Sequence, residues 1–127
     1  MRELKFSFKK AKIVPFDFVL DALSSKMPTT KPMFGCTGVY VDGKIIFILR
    51  DRKRPVCDDG VWICTSSEHH ESLRKIFSNM RSISVFETKK PTGWQILAAD
   101  TDDFEESVLT ACELVLRGDP RIGRLPT

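Results

Sequence analysis

Four residues within a stretch of fourteen, Cys57, Cys64, His69 and His70, are of the types that hold zinc. Their spacing, Cys-x6-Cys-x4-His-His, fits no standard zinc pattern, and adjacent helical histidines point about 100° apart. We read them as a strand end and a helix start, with no metal and no cofactor. A second cluster, Arg50, Arg52, Lys53 and Arg54 around Asp51, has the charge to grip phosphate or nucleic acid. It lacks the interleaved aromatic residues that stack bases, and Asp58 and Asp59 follow it directly. A solvated loop is the favoured reading. For covalent catalysis, no Gly-x-Ser-x-Gly, P-loop, Gly-x-Gly-x-x-Gly or His-Glu-x-x-His segment is present. The paired carboxylates Asp58-Asp59 and Asp102-Asp103 are read as turn and helix-cap residues, so no enzyme is expected.

Composition narrows the class. With 127 residues, 42% apolar and 29% charged, the chain fits one globular domain. Its longest apolar run, Ile45 to Leu49, is far too short to span a bilayer, and the first residues carry charges where a secretory signal would be apolar. A cytoplasmic protein is expected, with Cys36, Cys57, Cys64 and Cys112 mostly reduced and structural. Residues 1–12 hold Arg2, Lys5, Lys9, Lys10 and Lys12 against Glu3 alone, so the net charge of +3 resides in an N-terminal arm. The rest is close to neutral, which disfavours a nucleic-acid partner.

The elements that position these residues are read from periodicity. Leu4, Phe6 and Phe8 alternate with polar residues as in an edge strand. Phe16, Val19, Leu20 and Leu23 form one face of a helix introduced by Pro15, and residues 29–65 read as antiparallel strands. Asp42-Gly43 between two β-rich runs predicts a tight type I′ hairpin. A helix with the stripe Leu73, Ile76, Phe77 and Met80 follows, then strands around Ile83–Phe86 and Trp94–Ala99 joined at Lys90-Pro91-Thr92-Gly93. The last helix has Asp102 and Glu105 in capping-box spacing, a buried face of Phe104, Val108, Ala111, Cys112 and Val115, and Gly118 as its stop. Together these predict a two-layer α+β domain: an antiparallel sheet with helices on one face, in the order α-β(3)-α-β(2)-α, with an extra N-terminal strand where the arm pairs. The arm covers 1–14, the core 15–117 and a loose tail 118–127.

The segment Lys31-Pro32-Met33-Phe34-Gly35-Cys36-Thr37-Gly38, running on into Asp42-Gly43, resembles the TfoX N-terminal domain family of bacterial competence regulators. Met33, Phe34, Gly35, Gly38, Asp42 and Gly43 carry the resemblance, while Cys36 stands where that family has a second glycine. The resemblance implies an α-β(3)-α-β(2)-α fold like that of secretion chaperones, and a regulatory role. From the residues alone, Met33 and Phe34 are expected as core anchors, and Gly35 and Gly38 as places of backbone bending or close approach.

These observations predict a non-enzymatic regulatory module that acts through protein–protein contacts of its sheet. The alternative is a nucleic-acid-associated regulator using the arm and residues 50–54. Strict alternation along Ile45–Leu49 would put Ile46 and Ile48 on a sheet face that three short helices cannot cover. They are therefore the expected surface of a homodimer.

Overall fold

A computed structural model describes residues 14–53, 58–84 and 93–125. The strand expected around Leu4–Phe8, the second half of Ile83–Phe86, and the turn residues Lys90, Pro91 and Thr92 lie outside the described residues. Helix α1 (Phe18–Ala22) leads through a 3-10 turn (Ser24–Lys26) into four strands: β1 (Thr29–Met33), β2 (Cys36–Val41), β3 (Lys44–Arg50) and β4 (Gly60–Ile63). A 3-10 turn (Ser67–His69), α2 (His70–Ile76), β5 (Arg81–Ser82), β6 (Gln95–Ala98) and α3 (Phe104–Leu116) complete the order. All neighbours pair antiparallel, in the order β1-β2-β3-β4-β6-β5. The α+β class holds, with one strand more before α2 than the three expected. That extra strand is β1, whose first four residues are exposed and include Lys31 and Pro32. An edge strand without a buried face has no apolar alternation to read.

The helices share one face of the sheet. Val19 and Leu23 of the first helical segment, Leu73 and Phe77, and Phe104, Val108, Ala111, Cys112 and Val115 of α3 pack on Val39, Val41, Phe47, Leu49, Val61, Ile63 and Leu97. The second face carries Cys36, Ile45, Ile48, Trp62, Cys64, Ile96 and Ala98, with Trp94 tilted against Trp62 at 6.1 Å between ring centroids. Among the described residues no helix is long and apolar enough to cross a membrane.

Three local expectations change. Strand β3 does not alternate: Val39 pairs with Phe47 but Tyr40 with Ile45, leaving Ile46 as the extra residue of a bulge. Ile46 therefore joins Phe47 and Leu49 on the helix side, and only Ile45 and Ile48 remain on the other face. The helix cap is Asp103 rather than Asp102, and its Oδ1 accepts a hydrogen bond from Asn79 Nδ2 at 3.0 Å in place of a capping box. Ile76 lies at the surface, so α2 buries Leu73 alone, and Phe77 and Met80 enter the core from the turn after it.

Of the tail expected to be loose, residues 118–125 are docked. The Gly118 and Asp119 amides donate to Val115 and Leu114, a Schellman closure with Gly118 at φ 76°. Ile122 then enters the core, and Arg124 bridges to Ile45 by backbone bonds of 3.0 and 3.1 Å. The tail thus takes up the pairing beside β3 where β4 has ended.

Candidate functional site

The Met-Phe-Gly segment and the basic cluster, fifteen or more residues apart in sequence, meet at one end of the sheet. Met33 pairs with Cys36, so Phe34 and Gly35 alone make the β1–β2 turn, with φ of 53° and 75°. Asp42 and Gly43 form a second turn of the same kind, at φ 53° and 78°, as the sequence predicted. Positive φ at both centres suits Asp-Gly; for a bulky aromatic it is an outlier. Phe34 is not a core anchor. It is 69% exposed at the tip of its hairpin. Met33 packs part-buried against the second face. Gly38 sits mid-strand with only ordinary neighbours near a would-be Cβ, so the close approach expected there is confined to Gly35.

Gly35 is needed for its φ, and its missing side chain leaves room for a flexible arginine. A Cβ there would run into the Arg52 guanidinium, which lies over the turn. Arg52 is held in turn by Asp59, whose Oδ1 accepts its backbone N–H at 2.9 Å while Oδ2 accepts that of Lys53 at 3.0 Å. The same Oδ1 accepts from Arg50 Nη1 at 2.7 Å, in an ion pair with both side chains only 5% exposed. Arg50 therefore belongs to the interior, not to a phosphate grip. Arg52 and Lys53 reach the surface, with Lys53 Nζ 3.4 Å from Asp51, and Arg54 lies outside the described residues. Asp58 is wholly buried. Its carboxylate accepts from Arg81 Nη1 at 3.1 Å and from the Ser84 backbone N–H at 2.7 Å, tying the loop before β4 to the β5 region.

Beside the turn opens a cavity of about 360 Å³, lined by Val14, Pro15, Pro32, Gly35, Cys36 and Leu49 among others. Burial pushes the Cys36 thiol up, and the positive charges of Arg50 and Arg52 oppose it only in part. Burial does the same to Cys64, against Arg124, and pushes Cys112 up to about 12. Thiols so shifted stay protonated and are poor nucleophiles. What this end of the molecule offers is an exposed aromatic knob beside a hollow with apolar walls at Val14, Pro32 and Leu49 and charges at Lys31 and Asp51.

The residues considered for zinc diverge. Cys64 is buried on the second sheet face, His70 Nε2 lies 3.1 Å from the Gly93 carbonyl oxygen, and His69 lies beside Glu68. Cys57 is outside the described residues, among which no three His, Cys, Asp or Glu side chains come together. Ile46 and Ile48 do not form a surface: they are 2% and 1% exposed, on opposite faces, because the bulge breaks the alternation.

No protein-family profile, curated protein or solved structure matches this chain.

Proposed function

We propose that the chain is a non-enzymatic interaction module of the cytoplasm, akin to the TfoX N-terminal domain. It docks a second copy of itself, or a protein presenting a similar knob, on the β1–β2 hairpin tip and the hollow beside it. Phe34 carries this reading. A left-handed conformation costs a residue with a Cβ about 1–2 kcal/mol, and here it holds an aromatic ring 69% exposed at the tip of a hairpin. Such outliers cluster at functional surfaces. The tip is also pre-positioned, because Arg52 rests on Gly35 and the Asp59 carboxylate holds the loop that carries Arg52.

A symmetric dimer needs a self-complementary patch. A knob and a hollow side by side meet that need, since each copy can seat its Phe34 in the other's cavity. Sedimentation velocity at micromolar concentration should find a dimer, and Phe34→Ser should give a monomer with the parent's melting temperature. A parent chain that stays monomeric, or a Phe34→Ser variant that associates as strongly, overturns the proposal. Burial of Arg50 against Asp59 weighs against the nucleic-acid alternative, so retention on nucleic acid should lack the steep salt slope of multiple phosphate contacts.

A further inference from the structure

At the opposite end of β3 the docked tail closes a second, polar cavity. It measures about 210 Å³ and is lined by Thr65, Ser66 and His69 from the segment after β4, and by Arg121, Gly123 and Arg124 from the tail. This is below the roughly 300–1,000 Å³ of most small-molecule pockets, and the donors outnumber what the chain itself uses. Arg121 makes a bidentate pair with Asp119, Nε to Oδ1 at 2.9 Å and Nη2 to Oδ2 at 2.7 Å, and Nη1 donates to Ser72 Oγ at 3.2 Å. Three of its five N–H donors are thereby used and two are left. Arg124 has no carboxylate partner among the described residues. It stacks over Trp94 at 6.0 Å, donates a long bond, 3.5 Å, to the Thr65 carbonyl oxygen and lies within hydrogen-bonding reach of the Cys64 thiol. Asp119 answers the charge of Arg121, whereas no carboxylate among the described residues answers that of Arg124.

Thr65 supplies an independent sign. It is 4% exposed, and its Oγ1 is buried without a hydrogen-bond partner among the described residues. A buried hydroxyl with no partner is unfavourable, and natural structures seldom keep one without a reason. From this cluster we infer a binding site for a small oxyanion, such as phosphate or a terminal phosphate monoester, held by Arg124, Arg121 and the Thr65 hydroxyl.

The site stands independently of the hairpin tip. It is tested by titrating the folded protein with inorganic phosphate and following both heat of binding and melting temperature, against chloride at matched ionic strength. Binding to the native state alone raises the melting temperature as phosphate saturates. Arg124→Gln should weaken binding about tenfold or more, the loss expected for a charge-assisted hydrogen bond. Thr65→Val separates the site from a packing fault: it should melt no lower than the parent without phosphate, yet lose most of the phosphate-dependent rise. A parent protein with no saturable response beyond chloride overturns the inference, as does a response that both variants keep in full. A phosphate monoester that binds more tightly than inorganic phosphate would identify the source as a phosphorylated metabolite, and the reverse order would identify the free ion.

Discussion

Asp59 does more for this domain than its place in a polar loop suggests. One carboxylate, 5% exposed, neutralises Arg50 and orders the backbone at Arg52 and Lys53. Removing one member of a buried pair strands the other charge, which costs about 3–5 kcal/mol, whereas replacing both with apolar residues of similar size is often close to neutral. Asp59→Ala should therefore destabilise the domain by about 3–5 kcal/mol in urea denaturation. Arg50→Met combined with Asp59→Leu should recover a large part of that loss in the folding of the sheet. It should not restore the hairpin tip, because the amides of residues 52 and 53 still lose their acceptor. If the double variant is as unstable as the single, the pair is not the isolated unit that its burial implies.

Among the elements, the tail behaves as a seventh strand in all but length. Ile122 enters the helix-side core, and the Ile45 amide donates to the Arg124 carbonyl at 3.0 Å. Ile122→Ala should cost about 2–4 kcal/mol, the usual loss for a large aliphatic residue cut down in a core. The docked tail further predicts that the Ile45 and Arg124 amides exchange hydrogen slowly, close to the rate of global unfolding. Fast exchange at Ile45 together with a mild effect of Ile122→Ala would mean that the tail frays independently of the sheet. The same segment brings Arg121 and Arg124 to the polar cavity, so Ile122→Ala should also weaken phosphate binding there.

For the whole molecule, the buried thiols set an alkaline limit. Cys112 is raised by burial from 9.0 to about 12, and Cys36 and Cys64 are raised by the same cause. A group whose native pKa is raised loses its proton first in the unfolded chain. Its contribution to stability is thus fully present below about 9 and is lost as the pH climbs toward 12. Each such thiol steepens the decline by at most about 1.4 kcal/mol per pH unit. Chemical denaturation from pH 8 upward should show this fall in the parent and a shallower one in Cys112→Ala. Parallel curves would show that the thiol does not couple to folding.

The sequence by itself determined the helix faces and the tight turns, because those depend on residues near one another in the chain. Val108, Ala111, Cys112 and Val115 recur at helical spacing and are buried on one side of α3, and Asp42-Gly43 turns where two β-rich runs meet. Everything that rests on pairing between strands was decided by the tertiary structure. The bulge at Ile46 arises from the register between β2 and β3, and a single extra residue was enough to move Ile46 from an expected dimer face into the core. Strand β1 has no buried face of its own and exists through its pairing with β2. Arg50 reads as one charge in a basic run until the sheet carries Asp59 to within 2.7 Å of it. The polar cavity likewise joins Thr65 and His69 to a tail more than fifty residues further on, a contact that no local pattern encodes because only the closing of the sheet creates it.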